Sequence, residues 1–269
     1  MPNLTLATIK VFCTNLDLSP SEAVDDCEAR FETRFPLGYR EYVTALGAGI
    51  LNSYLRVFSP EKIAKELETD FRPRWREHFR WSPTTSSLSK GELSDAVVIA
   101  DSMRGDELVF LAGKPDRIHI LPRDSNLIEP IGGDLWESLS WFSGGGRLQL
   151  PTKVNCFQPF ATHSLLGSLG GGEKTFRRAR DFALRAIPNP VLEDDYCGSL
   201  REGVADYWLH LYSESLPGQL MIWLDSSEVG VRLFYSPGTA SPQRGALVLA
   251  LETLGFSFRT INDRTGEPV

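Results

Sequence analysis

The sequence predicts an α+β fold: a mostly antiparallel sheet with packed helices in the first half of the chain, plus a second, smaller α+β domain. Two observations lead to this prediction. The first half contains short apolar segments separated by turn residues, which is typical of an antiparallel meander. Apolar residues at helical spacing precede and follow that meander, and they return in the second half.

Helices are predicted before the meander. Ser19-Pro20-Ser21-Glu22 has the residues of a helix start, with Ser19 as the cap and Glu22 completing a capping box. Tyr39–Leu46 has an apolar helical face, and Gly47-Ala48-Gly49 is expected to end that helix. Tyr54–Phe58 alternates like a strand, and Ser59-Pro60-Glu61 is expected to start another helix.

The meander and its closing helix complete the first predicted domain. Its strands are expected at Ala96–Ala100, Glu107–Leu111, Arg117–Leu121 and Leu127–Ile131. Asp134 and Glu137 have capping-box spacing at the start of the closing helix. Gly144–Gly146 is the predicted linker, so we expect one domain over 1–146 and another over 147–269.

The second domain is expected to combine helices and strands in a different order. A basic amphipathic helix is predicted over Glu173–Ile187, and a later helix over Arg244–Leu254. The predicted strands are Tyr207–Tyr212, Gln219–Leu224, Val229–Tyr235 and Phe256–Ile261.

The order of elements in residues 19–143 resembles the SUKH superfamily of Smi/Knr-like proteins. Phe35-Pro36 followed by Tyr39 and Tyr42 is similar to that family's proline-then-tyrosine helix start. Leu55–Glu61 is similar to its strand-then-helix step, and Gly47-Ala48-Gly49 stands where the family has an asparagine and glycines. The family's asparagine is missing here, and the 71–95 segment is longer than the family pattern. Residues 150–269 are outside the resemblance.

The resemblance implies an α+β fold and a protein that binds other proteins. Bacterial relatives are largely immunity proteins that neutralise toxins, and fungal relatives are regulators and scaffolds of cell-wall synthesis. Neither role needs catalytic residues, and none are predicted. We therefore expect a non-enzymatic immunity protein that binds its toxin stoichiometrically, with a regulatory scaffold as the alternative.

The charge of the chain bears on its partners. Its formal net charge is −7, so an acidic surface is expected to repel nucleic acid and anionic membranes and to favour a basic protein partner.

No apolar run reaches the roughly 18 residues of a membrane-spanning helix, and Met1–Lys10 lacks the pattern of a signal peptide. A cytoplasmic location is therefore expected. The histidines lack metal-ligand spacing, so neither a metal nor a cofactor is predicted.

Two groups of residues are candidates for partner contact. The segment Phe71–Trp81 interleaves arginines with aromatic residues, including Trp75 and Trp81. Such a segment packs in a core, anchors a protein interface or stacks on single-stranded nucleic acid. The second group consists of acidic residues at predicted strand ends and turns, which would form a negative face toward a basic toxin: Asp101, Asp106, Glu107 and Asp116.

Gly167–Thr175 suggests a nucleotide-binding enzyme as a further alternative. The segment approximates a phosphate-binding loop, in which a lysine follows the last glycine directly. Here Glu173 stands between Gly172 and Lys174, which places a negative charge where phosphate would lie. The competing interpretation is a glycine turn that caps the following helix.

Overall fold

The structure is a computed structural model of the chain. It describes residues 4–11, 16–52, 54–144, 155–159, 163–187, 191–201, 204–213, 218–225, 227–235 and 242–262. These residues form two compact units, the first within Met1–Ile9 and Leu16–Phe157 and the second within Lys10–Asn15 and Gln158–Val269. Gly145 and Gly146 of the predicted linker lie outside the described residues, so the linker remains a prediction.

The first part of the chain has helices on either side of a strand meander. Its α-helices are α1 (Ser21–Arg30), α2 (Tyr39–Ala45), α3 (Pro60–Glu66), α4 (Arg72–Glu77) and α5 (Leu135–Ser143). Its strands are β1 (Lys10–Val11), β2 (Gly49–Leu51), β3 (Leu55–Val57), β4 (Ala96–Ser102), β5 (Glu107–Leu111), β6 (Lys114–Leu121), β7 (Glu129–Gly132) and β8 (Cys156–Pro159). A π-helical turn at Leu67–Phe71 joins α3 to α4.

Strands β2 to β7 follow one another in the sheet of the first unit. Neighbours from β3 to β7 are antiparallel and β2 is antiparallel to β3, so the predicted meander is confirmed. Fully buried aromatic rings fill the core beside this sheet, among them Tyr39, Trp75 and Phe110. The Tyr39 hydroxyl donates a hydrogen bond to the carbonyl of Phe58 at 2.8 Å, which joins α2 to the end of β3.

One predicted helix start is wrong in detail. Helix α1 begins at Ser21, and its capping position is Pro20, with no side-chain cap. Ser19 is buried, and its backbone N–H donates to the carbonyl of Val43 at 3.0 Å. Ser19 therefore lies one position before the capping residue, where its backbone is bound to α2.

The second unit is a six-stranded antiparallel sheet with two helices. Its helices are α6 (Gly172–Ala186) and α7 (Pro242–Thr253). Its strands are β9 (His163–Gly170), β10 (Val191–Arg201), β11 (Val204–Ser213), β12 (Gly218–Asp225), β13 (Glu228–Tyr235) and β14 (Ser257–Asn262). The order across the sheet is β10-β11-β12-β13-β9-β14. With two such sheets and packed helices, the predicted α+β class is confirmed.

The helices of the second unit cover one face of its sheet. Ile222 and Val231 are fully buried on that face, in one cluster with Phe176 and Ala179 of α6 and Leu247 of α7. Side chains alternate between the two faces of a strand, so the neighbours of these residues in β12 and β13 lie on the opposite face.

Candidate functional site

A row of charged residues crosses the sheet of the first unit. Arg56, Asp101 and Glu107 are successive cross-strand neighbours on β3, β4 and β5. Two carboxylates directly opposite each other repel, so this row needs compensating cations. Arg56 hydrogen-bonds both carboxylate oxygens of Asp101, with its Nε 2.7 Å from Oδ1. Arg74 of α4 places its Nη1 2.7 Å from Oε1 of Glu107, so each carboxylate has its own guanidinium.

Glu107 is held in the interior by two donors. Only 6% of the residue is exposed, and its second oxygen accepts a 2.6 Å hydrogen bond from Nε1 of Trp75. Burial raises the pKa of Glu107, although Arg74 and Trp75 act in the opposite direction. Burial likewise raises the pKa of Asp101 against the effect of Arg56. Helix α4 is thus fixed to β5 by hydrogen bonds and an ion pair whose carboxylate is buried and whose guanidinium is half-exposed.

A small cleft opens beside Glu107. Its volume is about 220 Å³, the size of one large side chain, and it is lined by Arg74, Trp75, His78, Arg80, Trp81, Gly105, Glu107 and Leu121. Trp81 donates from Nε1 to the carbonyl of Pro122 at 2.9 Å, and Arg80 donates to the same oxygen at 3.2 Å. The guanidinium of Arg80 lies 5.6 Å from the centre of the Trp81 ring, so the cation stacks on a fixed indole.

The rim of the cleft is cationic in an acidic protein. Arg80 is exposed at one side, beside the exposed imidazole of His78. Gly105 lies on the other side in a left-handed conformation (φ 87°), and Arg123 packs against it and donates to the carbonyl of Arg104 at 3.5 Å. Arg104 and Arg123 are exposed. A partner that reaches this cleft therefore meets exposed arginines, and the buried carboxylate beneath them is already paired with Arg74.

The structure brings together some of the predicted contact residues. Trp75, Trp81 and Glu107 all line the cleft, and Asp101 is the cross-strand neighbour of Glu107. Trp75 and Trp81 are buried, so the aromatic residues of Phe71–Trp81 pack in the core, which was one of the interpretations of that segment. Their role in partner binding stays a prediction.

Asp101, Asp106 and Glu107 do not form the expected solvent-facing acidic surface. Glu107 and Asp106 are buried, and Asp101 is engaged by Arg56. Asp106 closes the turn after β4, where it accepts hydrogen bonds from the Ser102 hydroxyl at 2.9 Å and the Arg123 N–H at 3.0 Å. The carboxylate oxygens of these residues are therefore already engaged within the protein, in the turn and in the ion pairs, and a basic partner would compete with those contacts.

Asp116 is exposed but is not part of the cleft. It lies near the start of β6, whereas Leu121 at the end of that strand lines the cleft. Asp116 and Leu121 are five positions apart along an extended strand, which corresponds to about 17 Å.

Sequence reasoning missed the arginines that define the cleft. Arg74 and Arg80 were visible in the Phe71–Trp81 segment as part of an arginine-aromatic pattern. The alternation of arginine with aromatic residues is the signal that pointed to this segment. Their partners, Glu107 and the Pro122 carbonyl, follow more than thirty residues later, and sequence spacing does not reveal such pairs.

The glycine segment of the second unit forms a tight turn. Residues up to Gly170 belong to β9, α6 begins at Gly172, and Gly171 between them caps the helix with φ 118°. The Thr175 hydroxyl donates to the Gly170 carbonyl at 3.3 Å. A phosphate-binding loop needs several consecutive backbone N–H groups around the ligand, and a one-residue turn does not supply them. The interpretation as a helix-capping turn fits this geometry.

Within the described part of the chain, no helix combines the length and apolar character needed to cross a membrane. No cluster of three or more histidine, cysteine or acidic side chains suited to a metal ion occurs among the same residues. Comparison of the sequence with protein-family models and with curated proteins, and of the structure with solved structures, finds no significant match. The SUKH resemblance therefore rests on the quoted residues and their order.

Proposed function

We propose that this chain is a non-enzymatic protein-binding module that neutralises a bacterial toxin by stoichiometric binding. The order of elements in residues 19–143 supports the immunity part of this proposal through its resemblance to the SUKH superfamily. The observation that carries the binding part is the cleft beside Glu107, with its tryptophan floor and exposed arginine rim. Tryptophan and arginine are the residues most enriched at energetically dominant positions of protein interfaces.

The cleft favours a partner group that differs from the one expected from total charge. A net charge of −7 attracts a basic protein at long range. At the cleft itself, Arg80 is exposed and the buried carboxylate of Glu107 is already paired with Arg74. The side chain that enters the cleft is therefore an acidic or aromatic one, whatever the overall charge of its protein.

Arg80 is the residue best suited to act as the anchor. Its backbone position is fixed because the neighbouring Trp81 is buried and bound to Pro122, so little conformational freedom is lost on binding. Its guanidinium is exposed and stacked on an indole, which leaves donors for a carboxylate.

The proposal is tested by capture followed by a growth assay. The tagged full-length chain is purified from its native cells, and proteins present at near-stoichiometric amounts are identified by mass spectrometry. Each is then expressed in a bacterial host alone and together with this chain. We expect one captured protein to arrest growth alone and to be tolerated when this chain is present.

Matched variants connect the result to the cleft. Arg80→Glu should weaken capture and protection at least about tenfold, the effect of losing one charged anchor. Arg178→Glu makes the same charge change at an exposed position of α6 and should leave both unchanged. A captured partner without toxicity would replace the immunity proposal by the scaffold alternative. Full protection by Arg80→Glu would contradict the role of the cleft.

A further inference from the structure

The second unit carries a groove on the face of its sheet that lies opposite α6 and α7. Its floor is a line of small residues on adjacent strands: Gly230 of β13 pairs with Ser168 of β9, which pairs with Ser257 of β14. These three strands span about 10 Å. Because none of the three has a large side chain, the sheet surface is recessed here, and the groove has a volume of about 530 Å³.

Trp223 forms one wall of this groove. It is the direct cross-strand neighbour of Gly230, and its indole lies against that glycine. A β-carbon at position 230 would come within 2.2 Å of the ring, so the arrangement requires glycine at this position. Trp223 is only partly buried, so part of the indole faces the groove.

Two carboxylates stand next to the indole. Asp225 and Glu228 are cross-strand neighbours at the end of the β12–β13 hairpin, on the same face as Trp223, and both are exposed and line the groove. Like charges directly opposite on a sheet repel. Glu228 forms no ion pair among the described residues. A cation placed beside Glu228 and the indole face would therefore pair with a carboxylate that has no other ion pair among those residues.

Among the described residues that line the groove, the arginine lies away from this corner. Arg259 belongs to β14, three strand positions from β12, which corresponds to about 14 Å across the sheet. The groove is therefore negative and aromatic at its hairpin end and positive at its far edge. This polarity disfavours a phosphate group beside Trp223.

We propose that the hairpin end of this groove binds a basic side chain of a partner protein, with the cation over Trp223 and between Asp225 and Glu228. Tryptophan has the strongest attraction for cations among aromatic side chains, and nearby carboxylates add to it. A guanidinium fits best, because its planar fork stacks on an indole while donating to a carboxylate. The net charge of −7 assists the approach of a basic protein. This site is separate from the cleft of the first unit and does not depend on the function proposed for that cleft.

The site is tested with a peptide and its neutral analogue. The full chain is labelled with ¹⁵N at the indole nitrogens of its six tryptophans, and the Trp223 signal is assigned with Trp223→Phe. The probe is a capped glycine–arginine–glycine peptide, and the control peptide carries citrulline in place of arginine. We expect the arginine peptide to shift the Trp223 signal saturably, and the citrulline peptide to bind at least about tenfold more weakly because it lacks the charge.

Substitutions on the protein give the second comparison. Asp225→Asn combined with Glu228→Gln keeps the size of both exposed side chains. We expect this double variant to bind the arginine peptide at least about tenfold more weakly. Glu252→Gln removes one charge from an exposed position of α7 and should have little effect. Circular dichroism and the remaining indole signals verify the fold of each variant. Equal binding of both peptides, unchanged affinity of the double variant, or no shift of the Trp223 signal would overturn the proposal.

Discussion

Glu107 illustrates how one buried carboxylate holds α4 against the sheet. Glu107→Gln keeps an oxygen for Nε1 of Trp75, but its amide group no longer pairs with the guanidinium of Arg74. We expect the free energy of unfolding at pH 7 to fall by about 1–2 kcal/mol, because the half-exposed Arg74 stays solvated. Glu107→Ala leaves both Trp75 and Arg74 without this acceptor and should cost about 2–4 kcal/mol. Urea denaturation measures the free energy of unfolding of both variants. An equal loss of stability in the two would contradict the hydrogen bond from Trp75 to residue 107.

His119 makes stability depend on pH. It is buried, its Nδ1 lies 2.8 Å from the Ser87 hydroxyl, and burial lowers its pKa from 6.5 to about 4. The unfolded chain therefore binds a proton between these pH values that the folded chain does not. The contribution to stability is fully present above pH 6.5 and is lost as pH falls toward 4.

Replacing His119 by glutamine tests this assignment. The variant should lose about 3 kcal/mol less stability than the natural chain when pH is lowered from about 7 to about 4. Denaturation curves at several pH values measure the difference. Parallel losses in the two proteins would show that His119 does not titrate between these states.

At the scale of elements, helix α5 is fixed by its first turn. The Asp134 side chain accepts from the Glu137 N–H at 2.7 Å, and Glu137 accepts from the Gly133 N–H at 2.6 Å. Asp134→Ala should lower the free energy of unfolding by about 1 kcal/mol, whereas Asp134→Asn retains a capping oxygen and should cost less. Thermal denaturation compares the two. Equal stability of Asp134→Ala and the natural chain would show that the cap contributes nothing.

Sequence patterns predicted the elements whose ends are fixed by residues close to them in the sequence. Asp134 was recognised as a helix cap from its spacing to Glu137. Strand β5 occupies its predicted residues because its apolar run is limited by a turn at each end. Ser19 was predicted wrongly because a backbone bond to Val43, distant in sequence, decides its position. The sequence pattern contains no information on that contact.

Two strands of the second unit were missed for physical reasons. Strand β9 contains Gly167 and ends at Gly170, and glycines usually indicate a loop. Here Gly167 is required because a β-carbon would come within 2.8 Å of the Phe258 ring on the next strand. Strand β10 includes Glu193–Asp195, an acidic run without strand propensity, and it forms at the edge of the sheet against β11.

At the scale of the whole molecule, the pattern of apolar residues predicted the fold class, but the net charge did not predict where the charges lie. A total of −7 suggested an acidic face, yet the acidic residues of β4 and β5 are neutralised by Arg56 and Arg74. Pairing depends on which strands become neighbours, so it follows from the topology of the sheet. The sequence identified the arginine-aromatic segment of the cleft, but it did not show that this segment forms a cleft with residues of the sheet.

The two proposed surfaces assign different chemistry to the two units. The cleft of the first unit presents Arg80 over tryptophans, and we propose that it takes an acidic or aromatic group. The groove of the second unit presents carboxylates beside Trp223, and the group proposed for it is basic. A partner that carries both kinds of group would be bound more tightly than either surface alone permits, provided that both are engaged together.

The most direct test of the central claim is site-specific photo-crosslinking in native cells. A benzophenone amino acid replaces His78, which is exposed at the rim of the cleft, and in a matched chain it replaces the exposed Arg178. We predict a discrete, light-dependent adduct with one protein from position 78, and its loss when Arg80→Glu is added. No adduct from position 78, or an adduct that Arg80→Glu leaves unchanged, would contradict the claim that this cleft binds a partner.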